Sequence, residues 1–406
     1  MPGRRRWLRR RRGGSPRRRL RDRRGARMTA AVFAVLFAWF SWSMGHALTA
    51  PGGGTVAERV AEWARDHYLG PVVTFGEWLT YQPPKVGGKP SFSLAVPATG
   101  TAPVAGPGAG QPASSVTAHR RRHHHRPAGD AAPARLRSPA GKPLRGEGVW
   151  RVLGKVHGVP AMYATYLRPD SVHTSYVAGI VSMNQRLLRF ELHPGSEDPG
   201  PGRWGKAQPT IPPRARRGLR ATFNGGFKIA SAGGGFYLNG TYRGTLRKGA
   251  ASMVYYRDGR LAIGVWGHGL RMTHQVVGVR QNLRPIVANG HVPSSVDSNV
   301  QTSWGATLGG GYYVWRSGVG VTSGGRIIFV YGPALDVRTL ASLLKRAGCV
   351  EAMELDINPD WMSYMSYHPR HHPADPVPAN LLPDQVQSPG RYYVLANRDF
   401  TAVYAR

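Results

Sequence analysis

Residues 28–48, MTAAVFAVLFAWFSWSMGHAL, contain no Lys, Arg, Asp or Glu, whereas residues 1–27 hold fourteen arginines and one acid. An uncharged apolar run of that length matches the roughly 20 residues a helix needs to cross a bilayer. Arginines massed on its N-terminal side predict that residues 1–27 form a basic cytoplasmic tail and that the chain after Pro51 lies outside. Trp39 and Trp42 suit the aromatic belt at the outer boundary. A cleaved signal peptide is the rival reading, but its apolar region would be long, and Leu48-Thr49-Ala50 is a poor cleavage site. The expectation is a single-pass cell-membrane protein with 28–48 as signal anchor, a cytoplasmic N-terminus and an extracellular C-terminal domain.

The net charge of +34 must be located before it is interpreted. The tail holds +13 of it, residues 28–146 hold +7, and the remaining chain holds +14. A moderately basic outer domain suits an anionic or phosphate-bearing envelope glycan and proximity to the membrane, and no nucleic acid is expected as a partner. The single cysteine, Cys349, excludes an intrachain disulfide and a cysteine-based zinc site. The domain must therefore be held by its own core, which a chain of about 260 residues can build.

Along the chain, residues 55–82 read as a juxtamembrane helical segment. Val56, Val60, Trp63, Ala64 and Tyr68 fall near helical spacing, and Gly70-Pro71 breaks the run before a second short helix. Residues 83–146 turn Pro/Gly/Ala-rich and basic, including AHRRRHHHRP at 118–127, and read as a disordered linker. From 147 to 406 the segments 161–167, 175–182, 251–256, 261–266, 326–331, 349–355 and 392–396 read as short strands. The spacing of Leu340, Leu343, Leu344 and Ala347 predicts a helix over 337–347, with Asp336 as its N-cap and Gly348 closing it. The expected fold is α+β, a strand-rich mixed-sheet C-terminal domain with few helices. Strand 326–331, this helix and strand 349–355 make a βαβ unit with a parallel pair.

Asp356 follows the carboxyl end of the second strand of that unit, where ligands gather in open α/β sheets. Strand alternation puts Glu354 on the same face, roughly 7 Å away. Two such carboxylates suit acid–base or glycosyl-transfer chemistry, and equally a turn cap or an arginine partner. Asn224-Gly225-Gly226-Phe227 and the glycines at 233–235 allow backbone to approach a ligand closely. Arg316, just before a strand, can grip a phosphate or carboxylate bidentately. Asp356, Asn358 and Asp360 are spaced like the first half of a calcium loop, although Trp361 stands where glycine would be. No other cofactor is expected. His368, His371 and His372 sit in an HPRHHP stretch that reads as an exposed loop.

Taken in order, the Asn224-Gly225-Gly226-Phe227 segment, Arg316-Ser317-Gly318-Val319-Gly320-Val321, the strand–helix unit, Met353-Glu354-Leu355-Asp356 and the closing Asn397-Arg398-Asp399-Phe400 resemble the phosphodiester glycosidases, relatives of N-acetylglucosamine phosphodiester α-N-acetylglucosaminidase. The resemblance covers about 150–406. It implies hydrolysis of the bond between a sugar's anomeric carbon and a phosphodiester, with Asn224, Arg316 and Asp356 in the active-site region. The family typically continues Leu-Asp-Gly-Gly-Gly-Ser, whereas this chain reads Leu355-Asp356-Ile357-Asn358-Pro359-Asp360-Trp361. The resulting expectation assigns Asp356, Glu354 and Arg316 to catalysis, and Asn224, Gly225, Gly226, Arg247 and Lys248 to substrate binding. A catalytically inactive carbohydrate- or cell-wall-binding module, or an envelope interaction module, is the alternative.

The arginine asymmetry generates a topology test. A reporter fused after residue 150 should be active only outside the cytoplasm, and a cytoplasmically active fusion would contradict the predicted orientation.

Overall fold

The computed structural model describes residues 16–49, 56–95, 131–298, 301–305, 312–369 and 374–406. The chain divides into two units, one formed by the first two helices and the other running from residue 71 to the C-terminus.

In the first unit, helix α1 (Pro16–Thr49) continues from the arginine-rich tail into the apolar run. Among the described residues it is the one helix long and apolar enough to cross a membrane, over Arg27–Thr49; length and composition fit an anchor or a signal sequence alike. Phe33, Val35, Phe37 and Trp42 are largely exposed along it. Helix α2 (Val56–Asp66) folds back on the end of α1. Trp63 is buried there, edge-on to Phe40 at 5.1 Å, and its indole N–H donates to Ser43 Oγ at 2.9 Å.

The second unit opens with helix α3 (Gly70–Thr80), which starts at the expected Gly70-Pro71 break. Three sheets follow. The seven-stranded sheet has the order β1 (Arg151–Val156), β2 (Val159–Leu167), β3 (Ala178–Asn184), β14 (Arg326–Leu335), β13 (Val314–Thr322), β15 (Cys349–Glu354) and β12 (Pro285–Val287). A six-stranded sheet runs β10 (Gly269–Leu270), β9 (Leu261–Trp266), β8 (Ala251–Tyr256), β11 (Val276–Gln281), β6 (Phe236–Leu238) and β7 (Thr241–Arg243). A five-stranded sheet runs β17 (Val377–Asn380), β16 (Tyr364–His368), β5 (Leu219–Asn224), β18 (Phe400–Ala405) and β4 (Leu188–His193).

The two faces of the large sheet are buried against different partners, so its central strands are apolar on both sides. Ile328, Val330, Leu335 and Ala352 meet helix α4 (Val337–Arg346) through Val337, Leu340, Ala341 and Leu344. The opposite face, with Val181, Met183, Phe329 and Met353, meets Phe223 and Tyr364 of the five-stranded sheet and Met253 and Tyr255 of the six-stranded one. Asp336 caps α4 as expected, its carboxylate accepting the Thr339 N–H at 2.6 Å.

Three expectations change in detail. β14 and β15 run in the same direction but are not neighbours, because β13 lies between them and pairs antiparallel with both. A strand–helix–strand pattern fixes the direction of return and leaves room for an inserted strand. The parallel pairing that makes the sheets mixed joins β9 to β10. Residues 392–396 form no strand, because Tyr392 turns inward to stack on Phe400 at 4.1 Å and to bond Ser363 through its hydroxyl.

The linker reading over 83–146 is too long at both ends, while its middle, including 118–127, lies outside the described residues. Leu94 enters the main core, Phe92 stands edge-on to Tyr166 at 5.6 Å, and Leu144 packs alongside. The Leu136 N–H donates to the Gly148 carbonyl at 2.9 Å. A few apolar residues in a Pro/Gly-rich stretch suffice once a folded face is there to receive them, and averaged composition hides them.

Glu147 fastens the C-terminal end of that stretch. It is fully buried, and it accepts bonds from the Arg168 guanidinium, the Arg168 and Leu144 N–H groups and the Ser138 hydroxyl. Burial pushes its pKa up, but Arg168 and the other donors outweigh that and hold it below the usual carboxylate value. Arg168→Leu should therefore cost about 3–5 kcal/mol, measured by denaturant unfolding at neutral pH, because a buried carboxylate loses its cation. The deficit should narrow as pH falls, since a protonated Glu147 no longer needs a cation. A neutral effect would show that this pair does not anchor the segment.

Candidate functional site

The ends of three strands converge on one small cavity. Asn224 closes β5, Asp399 immediately precedes β18, and Asp356 follows β15, so the five- and seven-stranded sheets each contribute. Asn224, Gly225, Gly226, Asp356, Trp361, Arg391, Tyr392, Arg398 and Asp399 line it. Its volume is about 10 Å3, the space of roughly one water.

A buried ion pair fixes the wall. Arg280, near the end of β11, is bidentate to Asp399, with Nε 2.9 Å from Oδ2 and Nη2 3.1 Å from Oδ1, and neither side chain is solvent-exposed. Its remaining donors reach the Gln281 carbonyl at 2.8 Å and the Phe227 carbonyl. Gly225 lies against this pair so closely that a Cβ would stand 2.0 Å from Asp399 Oδ2. The glycine is required by the carboxylate behind it.

Asn224 acts as a knot. Its amide nitrogen donates to Ser317 Oγ at 3.0 Å and to the Gly225 carbonyl at 2.8 Å, and its amide oxygen accepts the Ser363 N–H at 3.2 Å. Ser317 Oγ accepts the Asp356 N–H at 3.1 Å, so Asn224 holds the Asp356 backbone through one intermediary. Asn282, just beyond β11, ties the other side by donating to the carbonyls of Glu354 and Leu355 and accepting the Phe227 N–H.

Asp356 Oδ1 accepts the N–H groups of Ile357 and Asn358 at 2.8 and 3.0 Å, and its Oδ2 lies 3.6 Å from Arg398 Nη2. Burial raises its pKa, the Arg398 charge and the two N–H groups pull it back, and the balance leaves it at about 6. A carboxyl poised there exchanges protons near neutral pH, the property needed in an acid–base group. Trp361, from the loop after β15, is buried on the cavity lining, with the guanidinium carbons of Arg391 and Arg398 each 5.2 Å from its ring centre.

The structure brings Asn224, Gly225, Gly226 and Asp356 together and leaves the other sequence-selected residues elsewhere. Glu354 is fully buried on the strand and bound to Arg316 at 2.5 Å, and neither lines the cavity. Arg316 also donates to the Leu335 and Tyr312 carbonyls, so its fork is engaged. Burial pushes Glu354 up against the pull of Arg316. Arg247 and Lys248 are exposed on the loop after β7, where the Arg247 backbone is held by the Gln281 side chain. Asn358 Oδ1 accepts the Asp360 N–H, so the proposed calcium residues form two successive side-chain-capped turns. Among the described residues no group of three or more His, Cys, Asp or Glu side chains is arranged to hold a metal. His371 and His372 lie outside the described residues, and His368 contacts Ser366 at 2.9 Å.

Sequence reasoning missed Arg280 and Arg391, and it placed Arg398 and Asp399 only in the closing motif, without a role in the site. The available signal was Arg280-Gln281-Asn282, three polar residues that follow the apolar run 276–279, together with the charged pair just before the last strand.

No family model matches the chain, and no curated protein matches it. Among solved structures, the chain is similar to the catalytic domain of zebrafish N-acetylglucosamine-1-phosphodiester alpha-N-acetylglucosaminidase, auto-inhibited by its pro-peptide, at a TM-score of 0.40 and 15% identity, covering 68% of this chain and 95% of that one. It is also similar to a hypothetical protein from Synechocystis at a TM-score of 0.35 and 10% identity, covering 64% of each chain.

Proposed function

We propose that this chain is a membrane-anchored extracytoplasmic hydrolase that cleaves a sugar-1-phosphodiester in an envelope polysaccharide or glycoconjugate, with Asp356 as its acid–base group. The observation that carries the reading is the Asp356 carboxyl, poised at about 6 beside Arg398 in a cavity walled by Asn224 and two glycines. The motif resemblance supplies the substrate class, and the apolar helix after an arginine-rich tail supports the location.

In the ionised state Asp356 takes a proton from a water molecule whose oxygen bonds to the anomeric carbon. The bond from that carbon to the bridging phosphate oxygen breaks, and its electron pair leaves with the phosphate monoester. That leaving group has a second pKa near 6, so it departs without strong acid assistance. Arg398 meets its charge, and Arg391 stands on the same wall. Asn224 positions Asp356 through Ser317. A sugar does not fit a cavity of one water, so binding requires the lining to open, Trp361 included. The same narrowness favours the second reading, an inactive glycan-binding module, in which Trp361 and its two arginines are a permanent filling.

The full chain in detergent micelles, assayed on a synthetic hexose-1-phosphodiester for released phosphate monoester, separates the two. Asp356→Asn keeps the oxygen that caps the turn, so turnover should fall at least about a hundredfold with little change in melting temperature. Wild-type turnover should decline as pH drops through about 6, because the base must be ionised. Full turnover in a stable Asp356→Asn protein would remove the catalytic assignment, and binding without turnover in the wild type would establish the module.

A further inference from the structure

A much larger cleft opens between the six- and five-stranded sheets, beside β4, β8 and β18. Its volume is about 910 Å3, within the range of small-ligand pockets, and it shares no lining residue with the Asp356 cavity. Apolar side chains, among them Leu192, Leu238 and Val277, form part of its lining.

The charge around it is unbalanced. Both acids on the lining already have cations, since Glu191 pairs with Arg189 and Asp258 pairs with Arg260 at 2.7 Å. Lys206, Arg214 and Arg257 also line the cleft and are exposed, and none makes a side-chain hydrogen bond or ion pair among the described residues. They come from two separate chain segments, so their excess positive charge results from the fold and not from a basic run in sequence. His193 adds no charge at neutral pH: burial holds its pKa at about 4, and its Nδ1 donates to the Gln208 carbonyl at 2.9 Å.

The neutral groups narrow the ligand. Gln208, Thr210 and Asn239 lie on the lining with the cations; the Asn239 amide nitrogen and the Thr210 hydroxyl already donate to the Trp204 and Tyr392 carbonyls, so these two offer acceptor oxygens to sugar hydroxyls, while the apolar part suits the C–H faces of sugar rings. Single-stranded nucleic acid would need open aromatic faces for base stacking. Tyr404 has one face under Arg189 at 4.4 Å, and Tyr256 has one under Arg260 at 4.9 Å.

We propose that this cleft binds an anionic oligosaccharide, with Lys206, Arg214 and Arg257 meeting its phosphate or carboxylate groups. The cleft would then retain a charged glycan separately from any chemistry at Asp356, and the proposal stands whether or not that residue is catalytic.

Titration calorimetry on the full chain in detergent micelles tests it, with oligogalacturonate as the carboxylate probe, a phosphorylated mannose oligosaccharide as the phosphate probe, and neutral maltoheptaose and oligo-dT as comparisons. One or both anionic sugars should bind and maltoheptaose should not, and which anionic sugar binds more tightly identifies the anion. The combined variant Lys206→Gln/Arg214→Gln/Arg257→Gln should weaken binding at least about tenfold. Removing three exposed cations elsewhere, by Arg151→Gln/Lys155→Gln/Lys345→Gln, should leave it unchanged, as should Asp356→Asn. The proposal is overturned if no anionic sugar binds, if oligo-dT binds more tightly than both, if the control variant loses as much affinity as the cleft variant, or if Asp356→Asn abolishes binding. Loss of turnover with retained binding would separate this cleft from the reaction.

Discussion

The Arg280–Asp399 ion pair is the constraint on which the rest of the site depends. Two charges without solvent contact are tolerable only when each is paired and hydrogen-bonded, and removing one leaves the other at a cost of about 3–5 kcal/mol. Meeting that condition draws the end of β11, the start of β18 and the loop after β5 to one point. Gly225 has no side chain because Asp399 occupies its space, and the Phe227 carbonyl turns inward to meet Arg280. Asn282, two residues after Arg280, then reaches the carbonyls of Glu354 and Leu355 at the end of β15 and sets where Asp356 emerges.

Within that frame the two carboxylates near the end of β15 have different fates. Glu354 stays inside the sheet and is neutralised by Arg316, which makes that pair part of the core. Asp356 lies past the strand end, where Arg398 is offset at 3.6 Å and does not close a tight pair. Burial therefore outweighs attraction, and the acid is held near neutrality. The loop after β15 also brings Trp361 onto the lining of the cavity that holds this acid, and that cavity has the volume of roughly one water.

Local signals in the sequence were readable where local physics decides. The apolar run after fourteen arginines, the break at Gly70-Pro71, the Asp336-capped helix and most strand segments follow from spacing, capping and turn chemistry. Asp356 was also readable, because a strand end places it. What was hidden depends on partners far along the chain. Arg280 and Asp399 are 119 positions apart, and Arg316 and Glu354 are 38 apart. No periodicity tells which arginine meets which acid, so Arg316 looked available for phosphate while Arg398 stood only as part of the closing motif. The ends of the Pro/Gly-rich stretch were hidden for a related reason, since Leu94 and Leu136 gain their order from a core formed elsewhere.

The central claim is that the fold keeps Asp356 as a titrating acid while the other buried carboxylates serve the structure. Carboxyl 13C NMR on the full chain in detergent micelles, with Asp356 identified by subtracting the Asp356→Asn spectrum, measures this directly. The account predicts an inflection at about pH 6. An Asp356 that titrates at or below the ordinary aspartate value of about 3.9 would contradict it, because Arg398 and the two backbone N–H groups would then have overcome burial.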